Sequence, residues 1–200
     1  MRKCKNKKGF TLAELLIVVA IIAVLVAIAI AVFSGQMEKA RRAVDMQNAR
    51  AIQSALTNAY STGEISITGR SDAGVGVWVL LCRDNNSKPG GYGSYILRNG
   101  TVFCGADNGV SIKGETGTTE SSYKDNVEKI LEESGINVDS LKIRSNTDPE
   151  KNTGWDWIVV QLVMYGNGEV KSYMYSGFAG ESSSVNWYNR NHDNLGKQIY

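Results

Sequence analysis

Glu14 has the most unusual setting of any residue in this sequence, because it is a carboxylate inside a long apolar stretch. The run from Phe10 to Phe33 contains no other charged residue, and residues 15–33 are uncharged and almost wholly aliphatic. A carboxylate near one end of a membrane span costs on the order of 3 kcal/mol and should have a partner. A plain membrane anchor has no use for such a residue, so Glu14 is the first candidate for a functional group.

Cysteines are the second group that could carry chemistry. The chain has three cysteines and one histidine. Cys82 and Cys104 fall at or near the ends of expected strands, and neither lies in a C-x-x-C pair, so catalytic or zinc use is not expected. A structural disulfide between them, which would contribute about 3 kcal/mol, is favoured. Two reduced core cysteines are the alternative.

Three short stretches are rich in oxygen ligands. They are residues 84–86 (DNN), 107–108 (DN) and 192–194 (HDN), and none of them matches an EF-hand calcium loop. Local hydrogen bonding of Asp and Asn in turns is the favoured explanation. The sequence contains no nucleophile–base pair, no phosphate-binding glycine loop and no His/Glu metal cluster. We therefore expect no enzyme activity, no cofactor and no metal.

Positive charge is concentrated at the N-terminus. The chain carries 22 Lys and Arg residues against 20 Asp and Glu residues, and five of the positive residues precede Gly9. Without these five, the balance is 17 against 20, which excludes a sequence-wide basic footprint for nucleic acid. A hydrophobic content of 42% with 21% charged residues also excludes an intrinsically disordered chain.

The apolar stretch is long enough to cross a membrane. A helix over residues 15–33 rises about 1.5 Å per residue and spans roughly the 30 Å hydrocarbon core of a bilayer. The basic residues before it predict a cytoplasmic N-terminus and place the chain after Gly35 outside. An ordinary secretory signal, cut near residues 27–31, is the alternative, but its apolar core would be shorter, at about 7 to 15 residues.

Residues 7–16 (KKGFTLAELL) resemble the class III signal of type IV pilins and type II secretion pseudopilins. In that family a membrane peptidase cuts after the Gly, methylates the new N-terminal Phe and leaves a Glu as the fifth residue of the mature chain. The resemblance implies that Gly9 is the last leader residue, Phe10 the methylated N-terminus and Glu14 the assembly carboxylate. Cys4 would leave with the leader.

The resemblance also implies partners and a location. A prepilin peptidase, an assembly platform and its separate ATPase would act on the chain, which would sit in the cytoplasmic membrane before joining a homopolymeric or mixed filament at the cell surface or across the envelope. Cleavage would create an α-amino group on Phe10, four residues before Glu14. Glu14 of one subunit could then neutralise the amine of its neighbour, so that each charge gains a partner on assembly.

We expect three parts along the chain. These are a leader at 1–9, a transmembrane and filament-core helix at 10–35, and an extracytoplasmic head at 36–200 that begins with an amphipathic helix at 36–60. Because no proline precedes residue 88, one near-continuous helix from about Thr11 to Tyr60 is predicted. Its expected apolar stripe is Met37, Ala40, Val44, Ile52, Ala55, Leu56, Ala59 and Tyr60.

The head is predicted to be α+β, with the long helix packed on an antiparallel sheet of about four strands. The expected elements are a buried strand at Val75–Cys82, a hairpin at 94–104 around Asn99-Gly100, a short helix at 122–134 that stops at Gly135, and a second hairpin at 155–175. Residues 61–74 and 105–119 are interpreted as loops.

DNA is a less favoured partner. Lys39, Arg41, Arg42 and Arg50 form a basic stretch with Glu38 and Asp45 interleaved, which is typical of a solvated or inter-subunit helix face. DNA capture would need an exposed basic or aromatic patch. Trp187 and Tyr188 fall in a polar tail, whereas Trp155 and Trp157 fall in a strand and are expected in the core or at an interface.

Two hypotheses from different classes follow. The first is a structural subunit that polymerises through its N-terminal helix into a pilus or pilus-like filament. The second is a single-pass anchored binding module whose head recognises a ligand and never polymerises. Glu14 discriminates between them, because only the filament requires a carboxylate paired with a neighbour's amine.

Overall fold

The computed structural model of the chain describes residues 9–68, 74–89, 95–98, 100–114, 120–147, 154–177 and 179. The chain divides into two compact units, Met1–Ala40 and Arg41–Tyr200. The expected leader residues 1–8, the turn at 192–194 and the pair Trp187 and Tyr188 lie outside the described residues.

A single helix, α1, runs from Leu12 to Ser61 and contributes to both units. The predicted near-continuous helix is thus confirmed, and it passes through Ser34 and Gly35 without interruption. In the first unit, the large apolar side chains between Leu12 and Phe33 are 50–81% exposed. This part of α1 is apolar on every side, so no face of it is selected for packing inside its own chain.

In the second unit, α1 has one buried face. The buried residues are Asp45, Met46, Ala49, Ile52, Ala55, Leu56 and Ala59, at spacings of one, three or four residues. The predicted stripe is therefore confirmed from Ile52 onward but is wrong for Met37, Ala40 and Val44, which are exposed. Packing begins only at Asp45, and among the described residues nothing buries the apolar side chains that precede it.

Five antiparallel strands form the main sheet of the second unit. They are β2 (Val75–Cys82), β3 (Tyr95–Arg98), β4 (Val102–Ala106), β6 (Trp157–Met164) and β7 (Val170–Gly177), in the order β3-β4-β2-β6-β7. The α+β prediction is confirmed, including both hairpins. The strand number was slightly underestimated, because the two arms of each hairpin and β2 add up to five.

A second, two-stranded sheet pairs β1 (Ile65–Ile67) with β5 (Val110–Ile112) in antiparallel register. These strands lie in the segments 61–74 and 105–119, for which the sequence predicts loops. Strands of three residues are too short to show an alternating pattern. They form here because Ile65, Val110 and Ile112 are buried in the core.

The second helix, α2 (Glu120–Glu133), confirms the prediction of a short amphipathic helix. Its buried residues Tyr123, Val127, Ile130 and Leu131 face the same core as α1. The helix stops where expected, since Gly135 adopts a left-handed φ of 79° and the Ile136 amide donates to the Leu131 carbonyl.

The main sheet buries apolar residues on both of its faces. Alternate residues along each strand lie on one face of the sheet and pack with α1 and α2 in the inner core. The residues between them lie on the opposite face and form a separate outer cluster, which consists of Leu80, Cys82, Phe103, Trp157 and Val159. An antiparallel sheet with helices on one side more often leaves its other side polar and solvated, so this apolar outer face is unusual.

Candidate functional site

The proposed cleavage bond lies in an accessible, non-helical position. Gly9 and Phe10 are exposed and precede α1, and the Phe10 side chain is 85% exposed. A peptide bond outside regular structure has no intrahelical hydrogen bond to break before a peptidase can bind it. The geometry at Gly9 and Phe10 therefore suits processing.

Glu14 forms a capping box with Thr11 at the start of α1. Its Oε2 atom accepts hydrogen bonds from the Thr11 amide and the Thr11 hydroxyl, both at 2.9 Å, and the Glu14 amide donates to Thr11 Oγ1 at 3.3 Å. This reciprocal arrangement satisfies donors that a helix N-terminus otherwise leaves unpaired. The T-x-x-E spacing at residues 11–14 is the sequence signal for this capping box.

The helix that follows Glu14 is exposed in its own chain. Its most apolar window has a mean hydropathy of 3.5, is long enough to cross a membrane and is 0% buried. The core helix of a soluble domain would be mostly buried, so the apolar part of α1 differs from one. This surface fits a membrane anchor.

The structure does not show the predicted disulfide between Cys82 and Cys104, and it agrees with the alternative of two reduced core cysteines. Both are free and fully buried. Cys104 pairs with Val79 across the β2–β4 ladder and belongs to the inner core, whereas Cys82 belongs to the outer cluster. The two thiols thus lie on opposite faces of the sheet. Val79, which pairs with Cys104, is also three residues along β2 from Cys82, a distance of about 10 Å. Burial raises the pKa of each thiol to about 12.

The stretch at 84–86 shows the expected local hydrogen bonding in a turn, whereas the Asp107 side chain binds a residue 31 positions away. Asp84 Oδ1 accepts hydrogen bonds from the Asn86 amide and from the amide and hydroxyl of Ser87, and it caps a short 3-10 helix. Asp107 Oδ2 accepts a bond from the Gly76 amide at 2.8 Å. Within the described residues, no group of three or more His, Cys, Asp or Glu side chains is placed to hold a metal ion.

The tryptophans near β6 are core residues, as expected. Trp155 is 1% exposed and Trp157 is 6% exposed, so neither offers a stacking surface for a nucleic acid base. Lys39 and Arg50 are exposed on α1, and Arg41 and Arg42 are partly buried.

Asp45 is a charged residue whose predicted setting is wrong. The sequence predicts a solvated or inter-subunit helix face for it, but it is fully buried. Its Oδ1 accepts a hydrogen bond from the Arg144 amide at 2.9 Å, and its Oδ2 accepts bonds from the Ser145 amide at 3.0 Å and from Trp155 Nε1 at 3.2 Å. We refer to Asp45 with these three donors as the Asp45 clamp. Its donors are 99 to 110 residues away in sequence, so no local pattern could have found it.

A second carboxylate, Asp156, binds residues close to the donors of the Asp45 clamp. Asp156 Oδ1 accepts from Arg83 Nε at 3.1 Å and from the Thr147 hydroxyl at 2.7 Å, and Oδ2 accepts from the Ala179 amide at 2.9 Å. Partial burial by itself raises the pKa of Asp156, but the hydrogen bonds from Ala179, Thr147 and Arg83 outweigh it and hold the pKa below the ordinary value. Arg83 also donates to the Ser145 carbonyl, which links Asp156 to the Asp45 clamp.

Comparison with known proteins identifies the N-terminal segment. Residues 4–30 match the prokaryotic N-terminal methylation motif, which confirms the resemblance drawn from residues 7–16. No curated protein and no solved structure matches the chain.

The fold and the N-terminal site together define a class: an α+β protein with an apolar N-terminal helix that suits membrane anchoring. Its N-terminal segment, residues 4–30, carries the prokaryotic N-terminal methylation motif, which supports the resemblance to the precursors of type IV pilins and pseudopilins. The motif implies processing by a prepilin peptidase and a part in pilus assembly in general.

Proposed function

We propose that this chain is a structural subunit of a type IV pilus or pilus-like filament, cleaved after Gly9, N-methylated at Phe10 and polymerised through the apolar part of α1. The observation that carries the proposal is Glu14, a carboxylate at the start of an apolar helix that its own chain leaves exposed. On this proposal the protein is not an enzyme, and a separate assembly platform and ATPase drive filament growth.

The exposed helix supports this proposal because it has two environments in which it is stable. Lipid surrounds it before assembly, and helices of other subunits surround it in a filament. Moving between these two apolar environments changes hydrophobic burial little, so association depends on close packing and on polar pairing. The alanines at 20, 23, 27 and 29 allow close approach of neighbouring helices.

Glu14 supplies the polar pairing. Both Thr11 donors bind Oε2, which leaves Oε1 for a further donor. The methylated amine of Phe10 in a neighbouring subunit is a cation that lacks a partner in an apolar setting. An unpaired charge there is costly, so pairing it with Glu14 favours one register between subunits over all others.

The test has two stages on protein isolated from its own host. The mass and N-terminal sequence come first: N-methyl-Phe10 supports processing, whereas an intact leader supports an anchored binding module that does not polymerise. A start near residues 30–32 would indicate a secreted domain and contradict the proposal.

The second stage compares Glu14→Ala with Asp125→Ala, a matched removal of an exposed carboxylate on α2. Glu14→Ala should still be cleaved and inserted in the membrane, but sheared filaments should be lost or strongly reduced. Asp125→Ala should leave filament yield unchanged. Normal filament yield from cleaved Glu14→Ala would contradict the proposed role.

A further inference from the structure

The outer face of the main sheet has a second zone beside the buried outer cluster. Trp78 packs against that cluster, so it lies on the same face. It pairs with Gly105 on β4 and with Gln161 on β6, and Gln161 pairs in turn with Tyr173 on β7. Trp78, Gln161 and Tyr173 thus form one line across the sheet, and all three are partly exposed. We call these three residues the aromatic row.

Two glycines let the side chains of the aromatic row lie close to the sheet. A Cβ atom on Gly105 would collide with Cζ2 and Cε2 of Trp78, so the six-membered part of the indole lies over Gly105. A Cβ atom on Gly76 would lie 2.7 Å from Nε2 of Gln161, so this amide occupies the space above Gly76. The Trp78 ring therefore has one face toward the sheet and the other directed away from it.

The residues that flank the aromatic row add hydroxyl groups without adding net charge. The rings of Tyr173 and Tyr175 stack, with centres 6.0 Å apart and planes 27° apart. The Lys171 ammonium lies 5.2 Å from the centre of the Tyr165 ring and 2.8 Å from Oε1 of Glu169. Because Glu169 neutralises Lys171, this zone combines aromatic rings, hydroxyls and an amide with no net charge.

Such a combination of groups suits a sugar. The negative face of an aromatic ring attracts the C–H bonds on the face of a sugar ring, and amide and hydroxyl groups can bond to its hydroxyls. Trp and Tyr are also enriched at binding surfaces relative to the rest of a protein surface. A nucleic acid or an acidic peptide would favour a net positive charge, which these residues do not carry together.

We propose that the aromatic row binds a neutral, β-linked oligosaccharide that lies across strands β2, β6 and β7. Neighbouring strands are about 4.8 Å apart, which is close to the length of one sugar residue in an extended β-linked chain. Trp78 and Tyr173 are two strands apart and would contact sugars two residues apart, with Gln161 bonding to the hydroxyls between them. The proposal does not depend on filament assembly, because every residue in it belongs to the second unit.

Binding is tested by titration calorimetry on the full chain in a polyoxyethylene detergent, which carries no sugar headgroup. The probes are cellohexaose and chitohexaose, two neutral β-linked chains, and maltohexaose, an α-linked chain that coils and cannot lie flat. At least one β-linked probe should bind, and maltohexaose should bind at least about tenfold more weakly. Failure of both β-linked probes to bind, or equal binding of maltohexaose, would overturn the proposal.

Variants then locate the site. Trp78→Ala and Tyr173→Ala should each weaken the binding of the β-linked probe by about tenfold or more. Ser172→Ala is the control, because Ser172 neighbours Tyr173 on β7 but its side chain lies on the opposite face, and it should leave the affinity unchanged.

A further pair of variants covers a loss of folding, which circular dichroism would detect. If Trp78→Ala does not fold, Tyr173→Ala and Gln161→Ala decide. Weakened binding in both folded variants supports the proposal, whereas undiminished binding in both would place the sugar elsewhere and overturn it.

Discussion

Glu14 and Asp45 are two carboxylates on the same helix with opposite environments. Glu14 begins a segment whose large apolar side chains are at least 50% exposed, and its bonds within the chain come from Thr11 three residues away. Asp45 is 0% exposed and accepts three hydrogen bonds from residues about a hundred positions later. Asp45 is thus satisfied by distant parts of its own chain, whereas the hydrogen bonds that Glu14 accepts come from Thr11, and on the proposed function Glu14 also pairs with the amine of a neighbouring subunit.

This difference follows from the residues around each carboxylate. The segment after Glu14 is apolar all round, so its side chains offer no polar group to which a loop of the same chain could bond. Around Asp45, α1 alternates between polar and apolar residues and packs on the sheet, which brings the Arg144 and Ser145 amides and the Trp155 indole into reach. A buried carboxylate is tolerated there because each of its oxygens has a donor.

The largest expected effect is the loss of the Asp45 clamp. Asp45→Ala leaves the amides of Arg144 and Ser145 and the Trp155 indole N–H without this acceptor, which should lower the free energy of unfolding by about 3–5 kcal/mol. Urea unfolding of the full chain in mild detergent, followed by tryptophan fluorescence, measures this. Asp125→Ala, which removes an exposed carboxylate, should change it by less than about 0.5 kcal/mol. Equal losses of unfolding free energy in the two variants would contradict the stabilising role of the Asp45 clamp.

Gly154→Ala should have the next largest effect, because Gly154 lies against Asn146 and precedes Trp155, a donor of the Asp45 clamp. It has a φ of 78°, and a Cβ atom there would collide with the carbonyl oxygen of Asn146. Gly154→Ala should therefore cost about 2–4 kcal/mol through backbone strain and collision combined. Gly168 is the control, since its φ is 87° but nothing lies within 4 Å of a Cβ. Gly168→Ala should cost only about 1 kcal/mol, and similar losses at both sites would show that the Asn146 contact is unimportant.

Substitution of Asp156 should have a smaller effect on the free energy of unfolding, and this effect should depend on pH. Its pKa in the folded chain lies below the ordinary value of 3.8, so the folded state binds this proton less readily than the unfolded state. The stability that Asp156 contributes is therefore complete above that value and is lost as the pH falls below it. The stability difference between wild type and Asp156→Asn should be constant above about pH 5 and narrow below pH 4. A difference that stays constant down to pH 2 would contradict this account.

The smallest expected effect on the head belongs to Glu14. Glu14→Ala removes the capping box and about 1 kcal/mol of local helix stability in the first turn of α1. The free energy of unfolding of the second unit should change by less than about 0.5 kcal/mol, measured by the same urea titration. A loss comparable to that of Asp45→Ala would remove the distinction between the two carboxylates.

Much of the fold could be predicted from the sequence because its signals are local. Strand β2 begins and ends at the predicted residues, Val75 and Cys82, because an uninterrupted apolar run of that length is typical of a buried strand. The helix α2 stops before Gly135, as its composition indicated. The strands β1 and β5 were missed, because three residues carry no periodic signal and their pairing joins segments more than 40 residues apart.

By itself, the sequence determined the N-terminal signal, the apolar helix and the α+β class, since each depends on residues that are neighbours along the chain. The tertiary structure alone decided the environment of Asp45 and the separation of Cys82 from Cys104. Whether a carboxylate on a charged helix meets solvent or three donors depends on which loop packs against it. Whether two cysteines can bond depends on strand register, because side chains alternate between the faces of a sheet and a shift of one residue exchanges those faces. Residue types and spacing do not contain that register; pairing between distant strands fixes it.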